Sequence, residues 1–380
     1  MFVVFSAKYG MGHQRAADAI VDALREWFPE ETGEVVDYLS LLPPHVATNT
    51  LRVHHWLTRY WPWGYGAMYD VTGRLSAMAW WQRIEERPGL PGLRTWIAQH
   101  QPRAILATHP MPLMGLAALR RAGWLRAPVI GVITDYVVHP SWLHPGVDGY
   151  AAPHLDAAKA IVDRLGDQVT VRVTGIPIRA EFRHPPSGHR VRERWGWDAR
   201  PRVLVNLGSY GMAVPKARRL VRALDQLTPA AVLVLFTGHD EAVFQALTRE
   251  ATQHRDWVVR GYQDNMEEWL SAVDVVVTPA GALTLTEVAR LRRPLVIYQP
   301  RPGQELGNAR WFQRQGAAVM AFSADEAREA VQQLLTQRDA AEQLTTRMAA
   351  LVPTNAARQV VAFVEELMTS KGNKGANPSI

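Results

Sequence analysis

Residues 2–20 read FVVFSAKYGMGHQRAADAI, and the first four of them set the class of the fold. Phe2, Val3, Val4 and Phe5 are apolar without alternation, the pattern of a strand covered on both faces, as strands of parallel sheets are. Glycines follow at Gly10 and Gly12, and the spacing of residues 13–27 predicts a helix. A strand, a glycine-containing loop and a helix opening form an anion site, because the first helical N–H groups have no partner within the helix and point beyond the turn.

The same rhythm runs outward from this unit. Apolar runs at 35–37, 104–107, 129–133 and 169–173 predict strands, with a further helix at 157–165. A hydrophilic stretch around residues 184–189 interrupts the pattern, which then restarts at 203–205, 232–236, 257–259, 273–277 and 295–297. Two successive βα arrays imply an α/β protein with two parallel-sheet domains, divided as 1–178 and 179–354. Residues 355–380 form a terminal helix and a frayed tail. In the second array glycine stands after strand after strand, in NLGSYGM (206–212), FTGHD (236–240), RGYQDNM (260–266) and TPAGALTLTE (278–287). Ligands of open α/β sheets bind at the carboxyl ends of strands, so these loops are expected to face a cleft.

Composition narrows the chemistry. The 380 residues are 47% hydrophobic and 21% charged, enough to bury sizeable cores without general disorder. A net charge of +6 favours anionic partners. Cysteine is absent, which removes disulfides, thiolate nucleophiles and cysteine-based metal sites. There is no basic leader followed by a long apolar core and no membrane-spanning stretch, so any membrane contact is expected to be peripheral.

Three groups of residues are candidates for function. Gly10-Met11-Gly12 with Asp37 suggests part of a dinucleotide fingerprint, but Arg15 stands where its third glycine belongs. His13 opens a helix, whose positive end favours the neutral imidazole and suits it to act as a base. VITDYVVHPSWLHPGVDGYAAPH, residues 132–154, places Asp135 at a strand end within a loop-rich segment that also carries His139, His144 and His154. No HExxH or comparably tight spacing joins those histidines, and no metal is expected. Trp56, Trp61, Trp63, Trp80 and Trp81 lie among arginines between residues 51 and 96, as in a segment that seats indoles at headgroup depth beside anionic lipid. No recognised nucleic-acid module accompanies them, and no nucleic-acid partner is expected.

Taken together in order, GMGHQRAADAI (10–20), THPMP (108–112), TDYVVHPSW (134–142), VDGYAAP (147–153), VTGIPI (173–178), residues 261–289 and PGQELGNA (302–309) resemble one family over nearly the whole length. It is that of the monogalactosyldiacylglycerol synthases and processive diacylglycerol glucosyltransferases, cousins of the glucosaminyltransferase that builds the peptidoglycan lipid intermediate. The resemblance implies a GT-B fold, two Rossmann-like domains with an interdomain cleft, and a terminal helix that crosses back onto the first domain. It also implies an inverting transfer of a hexose from UDP-glucose or UDP-galactose to diacylglycerol, at the cytoplasmic face of the cell membrane. It places Gly12, Gly208, Ser209, Gly281, Ala282, Leu283 and Glu287 around the phosphates and ribose of the donor. Tyr262 and Met266 border the uracil, while Gln304, Glu305 and Asn308 hold sugar hydroxyls. His109 and Pro110 fall on the acceptor side, and either His13 or Asp135 is the base. UDP-sugar, diacylglycerol and anionic lipids are the implied partners, with no cofactor. No Asp-x-Asp occurs in the chain, which fits metal-independent departure of UDP.

Pro279 stands where the galactolipid branch often has lysine, and NLGSYGM lacks that branch's double glycine, so donor sugar and acceptor stay open. Other readings at this point are a GT-B enzyme with a different lipid or small-molecule acceptor, an NAD-dependent oxidoreductase, and a non-catalytic membrane-binding module.

Overall fold

The computed structural model describes residues 1–61, 63–64, 66–69, 89–167, 169–208 and 212–374. They form two compact units, the first comprising 1–180, 302–304 and 355–380, the second 181–301 and 305–354.

In the first unit the chain runs β1 (Phe2–Ser6), α1 (Met11–Trp27), β2 (Gly33–Asp37), α2 (Pro44–Tyr60), α3 (Leu90–His100), β3 (Ala104–Ala107) and α4 (Pro110–Arg121). It continues through β4 (Val129–Val132), β5 (Gly149–Ala152), α5 (Leu155–Leu165) and β6 (Thr170–Val173). All strands are parallel, in the order β2-β1-β3-β4-β5-β6. The run of residues 2–5 is apolar throughout because the sheet is covered on both sides. Val3 and Phe5 join Leu93, Ile97, Leu113 and Leu116 on one face, and Phe2 and Val4 join Ile20, Leu24, Val360 and Phe363 on the other.

The second unit runs α6 (Gly188–Arg194), β7 (Arg202–Asn206), α7 (Val214–Leu224), β8 (Val232–Phe236), α8 (Glu241–Ala251), β9 (Trp257–Arg260), α9 (Met266–Ala272) and β10 (Val275–Thr278). There follow α10 (Ala282–Arg290), β11 (Leu295–Tyr298), α11 (Gln304–Arg314), β12 (Val319–Ala321), α12 (Ala324–Thr336) and α13 (Arg338–Leu351). Its sheet is also parallel, in the order β12-β11-β10-β7-β8-β9.

The last helix, α14 (Ala356–Lys374), packs on α1 and the sheet of the first unit. Its Val360, Phe363 and Val364 are fully buried, and side chains of that kind contribute about 1.5–3 kcal/mol each. Around them Arg358 meets Glu26 at 2.9 Å, and Trp27 Nε1 donates to Glu365 at 3.1 Å. Exposed ion pairs supply about 0–1 kcal/mol, so burial holds the helix and the polar pairs fix its register.

Two strands depart from the sequence reading. β12 has no signal beyond three residues, and β5, GYAA, lies inside the segment expected to be loop-rich. β5 begins with glycine because α14 lies close over it: a Cβ at Gly149 would stand 2.7 Å from both Leu367 Cδ1 and Phe363 Cζ.

Candidate functional site

Each parallel sheet reverses its direction of winding once, and the crevice beyond the strand ends at that reversal is where open α/β sheets take ligands. In the first unit the reversal falls between β1 and β3, and His13 is there. It is the third residue of α1, whose N-cap, Gly10, is extended (φ −163°) and supplies no side-chain cap; no acid lies in the first turn. A Cβ on Gly10 would meet no atom within 4 Å, so the missing side chain leaves room beside the helix end.

The imidazole is half-buried and held at one nitrogen. His13 Nδ1 lies 2.8 Å from the carbonyl oxygen of Thr108 and 2.8 Å from Thr134 Oγ1. Thr108 and Thr134 follow β3 and β4, and both are buried. The Thr134 hydroxyl donates to the Thr108 carbonyl at 3.3 Å, while the Thr108 hydroxyl donates to the His13 carbonyl at 3.0 Å. A carbonyl only accepts, so Nδ1 carries the proton and Nε2 is left with its lone pair. Burial pulls the pKa of His13 below its ordinary value, against the opposing influences of the Asp135 charge and the Thr108 carbonyl. Desolvation, rather than the helix end, is thus the leading cause of its neutrality. Asp135, 8% exposed, acts on the ring through its charge, and the orienting bonds come from two threonines that the sequence reading did not single out.

His109 shares this edge. Its ring stands edge-on to His13 with centroids 4.7 Å apart and stacks on Tyr9 at 5.3 Å. Its Nδ1 accepts from Met111 N at 3.2 Å, capping α4, whose first residue is Pro110. The later histidines have structural partners. His139 accepts from Ser141 N at 3.1 Å and donates to the Tyr69 carbonyl at 3.0 Å. His154 accepts from Ala157 N at 3.2 Å and donates to the Tyr136 carbonyl at 2.9 Å. His144 donates to the Ser141 carbonyl at 2.7 Å, and burial pushes its pKa down to about 4. Asp37 caps the turn after β2 through Leu39 N at 3.1 Å, a task that accounts for its position without a ribose. Among the described residues no three His, Asp or Glu side chains gather as a metal-binding group.

In the second unit the reversal falls between β7 and β10. Asn206, ending β7, donates to Thr278 Oγ1 across the sheet at 3.3 Å and accepts from Gly208 N at 3.0 Å. Gly208 has φ +88°, a conformation that favours glycine. Opposite, Gly281 caps α10 with an ordinary φ of −64°, no side-chain cap and no acid in the first turn. A Cβ there would again meet nothing within 4 Å. Backbone geometry therefore does not demand glycine at 281, and the space is open for a ligand.

Ala282 and Leu283 open α10 and are buried. Tyr262 stacks on His239 at 4.4 Å beyond the ends of β8 and β9, and Met266 starts α9. Gln304 starts α11, and Glu305 accepts from Arg301 N at 3.0 Å. Glu287 and Asn308 are each 1% exposed, and Asn308 donates to the Ala280 carbonyl at 3.3 Å. They stand behind the Gly281 turn, among the buried polar residues of the second unit. Ser209, Trp80 and Trp81 lie outside the described residues. Trp56, Trp61 and Trp63 are all exposed, together with Val53 and Met68.

Comparison with known proteins agrees with this two-part arrangement. Residues 13–178 match the family model of monogalactosyldiacylglycerol (MGDG) synthase, and residues 204–363 match that of the glycosyltransferase family 28 C-terminal domain. The processive diacylglycerol beta-glucosyltransferase of Bacillus cereus (strain B4264) is 25% identical over 327 residues, covering 84% of this chain and 81% of the relative. The enzyme of the same name from Bacillus pumilus (strain SAFR-032) is 26% identical over 364 residues, covering 92% and 90%. Among solved structures, Acinetobacter baumannii MurG superposes with a TM-score of 0.63 at 17% identity, covering 96% of this chain and 99% of that one. A structure of S. aureus MnaA with UDP also gives 0.63, at 12% identity and 95% and 94% coverage.

Proposed function

We propose that this chain, whose residues 13–178 match the monogalactosyldiacylglycerol synthase model and whose residues 204–363 match the family 28 glycosyltransferase C-terminal domain, is a GT-B glycosyltransferase that moves a hexose from a UDP-sugar to the hydroxyl of diacylglycerol. The observation that carries the reading is the half-buried, neutral His13, with Nδ1–H committed to Thr108 and Nε2 left basic at the crevice of the first unit. An alcohol is a poor nucleophile and needs such a base within hydrogen-bond reach.

In the proposed step the acceptor O–H gives its proton to His13 Nε2 as the oxygen attacks the anomeric carbon from the face opposite UDP. The bond from that carbon to the diphosphate oxygen breaks, and its electron pair leaves with UDP. One displacement inverts the anomeric centre. The charge gathering on the diphosphate is met by the unpartnered N–H groups at the start of α10, a preorganised electrostatic role. Gly208 and Gly281 leave room for the phosphates, Ala282 and Leu283 form the first turn beneath them, and Tyr262 and Met266 flank the base. Gln304 and Glu305 meet the sugar, and Gly12 lies in the first turn of α1 beside His13. His109 and Pro110 border the acceptor.

Glucose is the expected sugar, in line with the relatives' names. The test supplies UDP-glucose and UDP-galactose in turn with diacylglycerol vesicles and resolves the lipids by thin-layer chromatography. A glucosyl lipid is expected, and the absence of any glycolipid from either donor sinks the proposal. The exposed Val53, Trp56, Trp61, Trp63 and Met68 support peripheral attachment at the cytoplasmic face of the cell membrane, where anionic lipid would meet neighbouring arginines.

A further inference from the structure

We propose that Thr134 and Thr108 are positioning residues that lock His13 as the Nδ1–H tautomer and stabilise the imidazolium formed when Nε2 takes the acceptor proton. The inference rests on the reading of His13 as the base. The three groups form a closed triangle: Nδ1 to the Thr108 carbonyl at 2.8 Å, Nδ1 to Thr134 Oγ1 at 2.8 Å, and Thr134 Oγ1 to the Thr108 carbonyl at 3.3 Å. One assignment of protons satisfies every side. The ring N–H is shared by the two oxygens, and the Thr134 hydroxyl donates to the carbonyl. With the proton on Nε2 instead, the Nδ1 lone pair would face the Thr108 carbonyl oxygen at 2.8 Å, lone pair against lone pair.

Oxygens of neutral groups suit a base that has to be uncharged before it reacts. A carboxylate in hydrogen-bond contact with Nδ1 would fix the same tautomer, but its charge would also raise the pKa of the ring. A hydroxyl and a carbonyl orient the ring while leaving it free to accept. Once Nε2 is protonated, both become acceptors of a charge-assisted bond, which is roughly twice as strong as a neutral one. The other groups facing the ring are Asp135 beyond β4, whose charge favours the imidazolium, and His109 at the start of α4, which stacks on Tyr9. The Thr108 hydroxyl binds the His13 carbonyl, so the backbone of α1 is held by the residue that holds the ring.

Thr134→Val keeps the shape and removes one oxygen. In the full chain, assayed with UDP-glucose and diacylglycerol vesicles, it is expected to lower kcat about tenfold or more with KM for the UDP-sugar within about twofold. It is also expected to shift the acid limb of kcat/KM to lower pH, and Thr134→Ser is expected to restore both. Wild-type kcat and an unshifted limb in Thr134→Val overturn the proposal. Nitrogen NMR of the His13 ring in the unsubstituted chain tests the tautomer without turnover: the proton is expected on Nδ1, and finding it on Nε2 overturns the proposal. Full activity in His13→Ala refutes the base itself, a failure distinct from that of the threonines.

Discussion

A histidine buried near a carboxylate is pulled two ways, and at His13 desolvation outweighs the charge of Asp135. Its pKa lies below the ordinary value of about 6.5, so at pH 7 the ring is already the free base, and the acid limb of kcat/KM is expected below pH 6.5. Asp135→Asn removes a charge that raises this pKa, so it is expected to move the limb to still lower pH. His13→Ala is expected to lower kcat by about 10²–10⁴. A larger loss in Asp135→Asn than in His13→Ala would transfer the role of base to the carboxylate. His144 offers a separate test through stability. Its folded-state pKa is about 4, so the neutral form is the one the fold prefers. The contribution is whole above pH 6.5 and is lost as pH falls toward about 4, by about 3 kcal/mol across that window. Urea unfolding at both ends of the window should show this loss, and His144→Gln should reduce it. His13 and Asp135 are legible in the sequence because glycines and strand ends mark them. Thr108 and Thr134 are not, since their task exists only where β3 lies beside β1 and β4 beside β3.

At the scale of elements, the start of α10 sets stability and binding against each other. Gly281 has the backbone and space to accept a side chain, and aspartate there would cap the helix, a gain over glycine of a few tenths of a kcal/mol. The same carboxylate would stand where the proposed diphosphate lies. Gly281→Asp is therefore expected to hold or raise the melting temperature while weakening UDP binding at least tenfold by calorimetry. Unchanged UDP affinity would remove α10 from the donor site. Strands with continuous apolar runs, such as VLVLF at 232–236, announce themselves in the sequence. β5 does not, because its Gly149 is required by the helix lying on it, and that helix comes from the far end of the chain.

For the whole molecule, the proposed attachment to anionic lipid rests on a net charge of +6 and exposed aromatics in the first unit. Among the described residues no helix is long and apolar enough to cross a membrane. Vesicle sedimentation is expected to show tighter binding to anionic than to zwitterionic lipid, with a loss as salt shortens the screening length from about 10 Å at 0.1 M to about 3 Å at 1 M. Trp56→Ala together with Trp63→Ala should weaken binding to both lipids, and indifference to salt and lipid charge would count against this surface. The sequence by itself determined the α/β class, the two βα arrays and the glycine loops after strands, because hydrophobic period and turn chemistry are read between near neighbours in the chain. Only the tertiary structure decided which strands flank each reversal, which nitrogen of His13 is free and where the last helix returns. Those depend on groups 72 to 338 residues apart that meet only when the sheets assemble.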